Sequence, residues 1–278
     1  MSHPPANIAG SPLGATVAYR DRYAPELLFP VSRAPQRQDI GIIGALPFHG
    51  VDIWNAYELS WLDPRGKPIA ATARFDVPID SPNIVESKSI KLYLNSFNQT
   101  QFYSAVDVQA AITKDLSAAA GAMVTVTVEP LLPGAQRRLG NFAGVLLDNL
   151  EVDIGHYHPA PELLKCHGDG WVEEVLVSHL LKSNCPVTGQ PDWASVRIAY
   201  RGRAIDHAGL LAYIVSYRQH SGFHEHCVER IYADIAARCA PEKLSVYARY
   251  TRRGGLDINP FRSSEAGDMP ENDGDIRQ

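Results

Sequence analysis

Tyr93-Leu94-Asn95-Ser96-Phe97-Asn98-Gln99 recurs at a shift of 120 as Tyr213-Ile214-Val215-Ser216-Tyr217-Arg218-Gln219. The same shift lays the alternating run Met123–Val128 over Lys243–Ala248 without a gap. Upstream, Gly66-Lys67-Pro68 meets Gly189-Gln190-Pro191 at a shift of 123, so one connection differs by a few residues. A repeat this long marks duplicated domains, not a short-period solenoid. Each half reads as two strands, two helices and closing strands. The opening strands are Ala56–Leu62 and Thr72–Val77 in the first half, and Val175–Cys185 and Ser195–Tyr200 in the second. Helical spacing of Ile90, Tyr93, Leu94 and Phe97 predicts a helix near Ser87–Phe97, followed by one over Gln101–Ala120. Their counterparts are His207–Arg218 and His224–Arg238, the latter carrying Val228, Ile231 and Ile235 on one face. The closing pair is Met123–Leu132 with Phe142–Val152; Leu244–Tyr250 matches it with a partner left undefined. This order predicts antiparallel α+β layers.

At 278 residues the chain has room for one large core or two smaller ones. Hydrophobic content of 45% and charged content of 21% are ordinary for a soluble globular protein. A net charge of −5 argues against a broad nucleic-acid surface, which needs a basic face. Nowhere is there an apolar run long enough for a membrane helix. Met1–Gly14 lacks a basic start and an apolar core, so it reads as a flexible N-terminus over residues 1–14 and not a secretory signal. The halves are expected over 15–155 and 156–263, followed by a disordered acidic tail over 264–278. Cys166, Cys185, Cys227 and Cys239 show no pairing pattern, which fits reduced thiols in the cytoplasm.

The chemistry concentrates in Ser183-Asn184-Cys185-Pro186-Val187-Thr188-Gly189-Gln190-Pro191-Asp192-Trp193 and in Phe223-His224-Glu225-His226. These segments offer a nucleophile, a proton donor, a relay and a second carboxylate able to read a ligand. The halves are not equal: Cys185 falls on Leu62 at the 123 shift, and Glu225 on Ala105 at the 120 shift. Conversely, Glu86-Ser87-Lys88-Ser89 opposes Asp206-His207-Ala208-Gly209. A division of labour follows, with one site assembled from both halves. Taken singly, each feature has a plainer reading. Cys185 passes for a buried small hydrophobe, Asp192 for a turn residue, and His224-Glu225 for a helix start. Phe223 passes for core, Lys88 and Lys91 for a solvated helix face, and Arg252-Arg253 for a charged turn. Only their joint occurrence carries weight. His156, His158, Cys166 and His167 crowd the junction but fit no zinc spacing, so no metal is expected. Helical spacing sends His226 to a different face from His224.

With these residues in view, the chain resembles the QueF family, the NADPH-dependent 7-cyano-7-deazaguanine reductases of queuosine biosynthesis. The run Glu86-Ser87-Lys88-Ser89-Ile90-Lys91-Leu92-Tyr93 matches that family's signature. Cys185, Asp192 and His224-Glu225 follow in the order of its long, duplicated subtype. The likeness runs from about Leu13 to Arg262. It implies two tandem tunnelling-fold domains, with antiparallel sheets each carrying a helix pair, and a homodimer. The implied reaction reduces a nitrile to a primary amine with two NADPH. Cysteine addition turns a sluggish nitrile carbon into a more reducible thioimide, which makes Cys185 the nucleophile. Asp192 resembles the family's proton donor and His224 its relay. To donate near neutral pH, Asp192 needs a pKa raised by burial or a like charge. Glu225 suits the paired donors of a guanine-type edge, Glu86 is the second recognition acid with Val85 and Ser87, and Phe223 covers the ring.

There is no Gly-x-Gly-x-x-Gly after a strand, so a Rossmann site is not expected. The resemblance instead places NADPH against Ser87, Lys88, Arg253 and Gly254. A helix start with free N–H groups and two arginines in the turn suits phosphate, the 2′-phosphate included. Two other functions remain open. One is a hydrolase of an amide, amidine or nitrile, with Cys185 activated by His224. The other is a non-catalytic protein that binds a purine or pterin.

Overall fold

The computed structural model describes residues 19–131 and 138–278. In chain order the first elements are β1 (Pro30–Ser32), α1 (Ala34–Asp39), β2 (His49–Leu62), β3 (Pro68–Pro78) and β4 (Asn83–Val85). Next come α2 (Ser87–Asn95), α3 (Ala105–Ala120), β5 (Thr125–Pro130), β6 (Val145–Leu146) and β7 (Cys166–Asn184). The chain continues with β8 (Pro191–Ile205), α4 (His207–Ser216), α5 (His224–Cys239), β9 (Lys243–Tyr250) and β10 (Leu256–Ser263). It divides into two compact units. Of the described residues, the first holds 19–35, 52–131 and Arg252–Ile258; the second holds Gln36–Val51, Arg138–Thr251 and Asn259–Gln278. The pairs β1–β4, β3–β5, β7–β8, β8–β9 and β9–β10 are antiparallel, in line with the α+β expectation, and the short β6 runs parallel to β7.

In the first unit the strand order is β5-β3-β2, and α2 and α3 bury their apolar faces on it. Phe75, Tyr93, Phe97, Ile112 and Val124 are fully buried there. The expected closing pair is wrong. β5 pairs with β3, from Ala71↔Pro130 to Asp76↔Thr125, and not with Phe142–Val152. Of that second segment only Val145–Leu146 is strand; it runs parallel to β7 and belongs to the second unit. The second unit therefore already begins by Arg138 and not near residue 155, and Gln36–Val51 also goes to it. The N-terminal residues 1–14 lie outside the described residues.

The second unit orders its strands β10-β9-β8-β7-β6. β10 is the partner that Leu244–Tyr250 lacked in sequence, with Phe261↔Tyr247 in register. Along β8, Asp192, Ala194, Val196, Ile198 and Tyr200 are buried, and the paired Tyr250, Ala248, Val246 and Leu244 of β9 share their face. The helices supply the fully buried Leu210, Tyr213, Cys227, Val228, Ile231 and Ile235. The acidic segment 264–278 is not loose, contrary to its composition. Asp275 is 1% exposed and accepts from Ser195 Oγ at 2.6 Å, and Gln278 donates to the Tyr250 carbonyl at 2.8 Å. Those specific polar contacts outweigh a composition typical of disorder.

Each unit repeats one hydrogen-bond skeleton. Gln99 N–H donates to Asp21 O at 2.8 Å, and Gln219 N–H to Tyr157 O at 2.9 Å. Ala24 N–H donates to Ser96 Oγ at 3.1 Å, as Ala160 N–H does to Ser216 Oγ at 3.2 Å. Tyr93 OH and Tyr213 OH each donate to an aspartate of the following helix, Asp115 and Asp234, at 2.6 Å. Ala24 and Ala160 each open the same pentapeptide, Ala24-Pro25-Glu26-Leu27-Leu28 and Ala160-Pro161-Glu162-Leu163-Leu164. That identical pentapeptide is a repeat signal the sequence reading passed over.

Within the second unit, Glu229 Oε1 lies 2.7 Å from Arg37 and 2.9 Å from Arg262, all three buried. The carboxylate is shared by two buried guanidinium groups and ties α1 to α5. Glu229→Ala removes the one carboxylate that both guanidinium groups share and should cost roughly 3–5 kcal/mol. Urea unfolding measures it, and a loss below about 1 kcal/mol would contradict this role.

Candidate active site

Between Ser178 and Leu181, β7 carries one residue more than β8: Ser178 pairs with Val196, and Leu181 with Ala194. This bulge reverses the parity of the strand. Beyond it Leu181 and Ser183, not Lys182 and Asn184, face the same way as Asp192 and Ala194. By the same alternation Cys185 follows Ser183. The bulge has a brace. Asp148 accepts Ser178 Oγ at 2.6 Å and the His179 N–H at 2.9 Å.

Cys185 opens the connection to β8 and is 6% exposed. Its N–H donates to Gln190 O at 2.8 Å and its carbonyl accepts from Gly189 N–H at 3.0 Å. The turn is thus closed on itself, with the thiol at one end and Asp192 at the other. The approach to α5 is stitched to the same place. Asn184 N–H donates to His220 O at 2.8 Å, and Gly222 N–H to Asn184 O at 3.1 Å. Main-chain bonds therefore set Phe223, His224 and Glu225 beside the cysteine turn.

His224 Nε2 lies 3.4 Å from Asp192 Oδ2, and Asp192 is 3% exposed. The His224 ring lies flat on Tyr250, with centroids 3.8 Å apart and planes within 5°. Glu225, in the first turn of α5, is 3% exposed. Cys227 is enclosed by Ser183, Tyr250, Asp192 and Glu225, and burial pushes its thiol up to about 12. Burial, helped by Cys166, holds Cys239 at about 12 as well. Both stay protonated near neutral pH, which excludes them as thiolate nucleophiles. Burial pushes His220 and His226 down to about 4, so they are neutral imidazoles. His226 faces the Arg37–Glu229 cluster and not Asp192, as the helical spacing predicts. Among the described residues no group of three or more His, Cys, Asp or Glu is placed to hold a metal, His156, His158, Cys166 and His167 included. A cavity of about 740 Å³ opens on the face of this sheet away from the helices, lined in part by Phe142, Arg197, Tyr247 and Arg249, and contains none of the site residues.

The first unit gathers the residues expected to hold a cofactor. Lys88 and Lys91 share one face of α2. Between β9 and β10, Gly254 and Gly255 have φ of +58° and +79°, the tight turn that glycine permits. A Cβ on Gly254 would stand 2.9 Å from the Lys91 side chain, so the turn lies directly against α2. Arg252 stacks on Tyr57 at 4.6 Å. Lysines and arginines around a close-packed glycine turn fit an anionic dinucleotide phosphate. Two of the helix-start N–H groups expected to be free there are, however, already taken. Glu86, 1% exposed, accepts Lys88 N–H at 2.6 Å and Ser89 N–H at 2.9 Å. Its pKa is raised by burial, opposed by those N–H groups. Val85 is buried on β4, paired with Pro30.

Three participants escaped the sequence reading. Asp148 and Tyr250 sit in segments read as strand, and Lys91 in a signature run where its own charge is read as a solvated helix face. None has a sequence spacing that links it to its partner.

The fold and these groups define an α+β protein carrying a buried thiol turn beside an acid–imidazole pair. The family model described as nitrile reductase, 7-cyano-7-deazaguanine-reductase N-term matches residues 19–128, and that described as QueF-like protein matches 191–268. An NADPH-dependent 7-cyano-7-deazaguanine reductase of Bordetella avium (strain 197N) is 60% identical over 95% of this chain and 96% of its own. Relatives of the same name in Azoarcus sp. (strain BH72) and Dechloromonas aromatica (strain RCB) are 60% and 57% identical, each over 96% of this chain and 95% of their own. The chain belongs to the 7-cyano-7-deazaguanine reductase family.

Asp148→Ala removes two charge-assisted hydrogen bonds from the bulge and should cost about 2–4 kcal/mol. Its amide groups around His179 should then exchange hydrogen faster. Unchanged protection at His179 would show that the bulge needs no brace.

Proposed function

We propose that this protein reduces the nitrile of 7-cyano-7-deazaguanine to the aminomethyl group, with NADPH as reductant, through a covalent thioimide on Cys185. One observation carries the reading: the turn that Cys185 opens ends at an aspartate whose carboxylate is 3.4 Å from an imidazole nitrogen. The relatives at 60% identity that bear this activity in their names support it.

Cys185 Sγ adds as the thiolate to the nitrile carbon, converting the triple bond into a C=N electrophile, and the C–S bond breaks again after the first of two reductions, returning the thiolate. Asp192 gives a proton to the nitrogen, and His224 Nε2 restores it. Glu225 accepts the ring N–H and exocyclic amino group together, and Phe223 covers the flat ring. Val85, Glu86 and Ser87 complete the substrate set. Glu86 keeps lone pairs beyond those spent on α2. Ser87, Lys88, Arg253 and Gly254, with Lys91, hold NADPH, which supplies hydride when bound. The position of Asp192 at the mouth of a closed turn limits competing proton exchange with water.

The proposal extends to two tandem tunnelling-fold halves, a homodimer and a place in queuosine biosynthesis, as the family resemblance implies. Four free cysteines agree with a reducing, cytoplasmic setting. No helix among the described residues is long and apolar enough to cross a membrane.

Mixing the protein with NADPH and 7-cyano-7-deazaguanine should deplete NADPH without releasing ammonia. Ammonia without NADPH oxidation indicates the hydrolase instead, and tight binding with neither indicates a non-catalytic binder. Without NADPH, intact-mass measurement should show a substrate adduct that Cys185→Ala abolishes. Asp192→Asn should keep the adduct and slow its reduction by about a hundredfold or more. Equal turnover by that variant removes Asp192 from the mechanism.

A further inference from the structure

A working histidine is usually oriented by a hydrogen bond to its second ring nitrogen, from a carbonyl or carboxylate. His224 lacks that bond. Its Nδ1 is buried with no hydrogen-bond partner, while Nε2 lies 3.4 Å from Asp192 Oδ2. What borders the ring is a face. The fully buried Tyr250 lies 3.8 Å away and within 5° of parallel. A flat contact of this kind fixes the plane of the imidazole even where nothing fixes its rotation through Nδ1.

We propose that Tyr250 is the positioning residue of the Asp192–His224 pair, and that Asp275–Gln278 holds Tyr250 in place. Tyr250 is the last residue of β9, where a strand end would ordinarily fray. Both of its main-chain groups are instead clamped by side chains. Its N–H donates to Asn259 Oδ1 at 3.2 Å, and its carbonyl accepts Gln278 Nε2 at 2.8 Å. The same Gln278 amide donates to Asn259 Oδ1 at 2.7 Å, which closes a small ring of bonds. Gln278 is itself held, because its Oε1 accepts Asp275 N–H at 2.8 Å. Asp275 is anchored on β8 by Ser195 Oγ at 2.6 Å, one residue from the Ala194 that pairs with Tyr250. An acidic, glycine- and proline-rich segment thus reaches the strand end that carries the stacked ring. Its buried aspartate grips one strand, its glutamine the next, and the tyrosine between them carries the histidine.

The inference rests on the proposed reductase chemistry for its kinetic part and on the ring geometry alone for its spectroscopic part. Three variants test it: Tyr250→Phe, which keeps the stack, Tyr250→Leu, which removes it, and Gln278→Ala, which releases the clamp. Two rates are followed: adduct formation on Cys185 from the nitrile alone, and NADPH oxidation by the preformed adduct. The His224 ring proton resonances are recorded in parallel. Tyr250→Leu should leave adduct formation within about threefold and slow the second rate roughly tenfold to a hundredfold. Tyr250→Phe should restore that rate to within about threefold, and Gln278→Ala should lower it several-fold with folding intact. The His224 resonances should show the upfield shift of a stacked ring in the wild type and in Tyr250→Phe, and lose it in Tyr250→Leu. Both rates falling together, neither falling, or an unmoved His224 resonance would overturn the role of Tyr250. An unchanged second rate in Gln278→Ala would overturn that of the segment. If Tyr250→Leu does not fold, Gln278→Ala and the wild-type resonances decide. If the wild type forms no adduct, the reductase reading fails, while the resonances still judge the stack.

Discussion

A single extra residue in β7 decides which side chains of its last turn face α5. Without the bulge at Ser178–Leu181, Lys182 and Asn184 would point under the helices and Leu181 and Ser183 away. A lysine and an amide would then meet the buried face that now holds Asp192, Cys227 and Tyr250. The price of burying such groups unpaired is several kcal/mol, so the hairpin would not close there as it does. The placement of Cys185 depends on this local irregularity more than on any feature of the cysteine itself. Asp148 holds the irregularity from outside the sheet.

Given that parity, the remaining geometry follows from short-range bonds. Asn184 bridges the cysteine turn to the start of α5, and the first turn of α5 brings His224 to Asp192. Duplication explains why the frame is robust. In each unit the same chain-to-helix hydrogen bonds recur, at Asp21 and Gln99 in one and at Tyr157 and Gln219 in the other. On that shared frame the second unit carries Cys185 and Glu225 where the first carries Leu62 and Ala105. The first unit carries the cationic helix face and the glycine turn. One repeated frame thus carries different polar groups in its two units through substitutions at a few positions.

The helices were legible because their signals are local. Apolar spacing located α2, α3, α4 and α5 to within a few residues, and Glu86, Ser104 and Asp206 cap three of them through their own side chains. The thiol, the acid and the imidazole were legible as residue types in a familiar order. The pairing of strands was less so. Met123–Leu132 and Phe142–Val152 both look like strands, but nothing in their composition says that β5 pairs with β3 and that Asp148 braces a bulge. The segment 264–278 misled for a related reason. Charge and glycine content describe how little apolar surface a segment buries, whereas Asp275 and Gln278 dock through hydrogen bonds to strands far away in sequence. The stack of Tyr250 on His224 likewise joins residues that share no spacing rule.

In the proposed reaction sulfur reaches the nitrile carbon before any hydride does. Carbon-13 NMR of the nitrile-labelled heterocycle, mixed with protein and no NADPH, observes that carbon directly. The account predicts that the nitrile resonance gives way to a thioimide resonance with the wild type and persists with Cys185→Ala. A nitrile carbon that stays unchanged while the heterocycle is demonstrably bound to the wild type would contradict it.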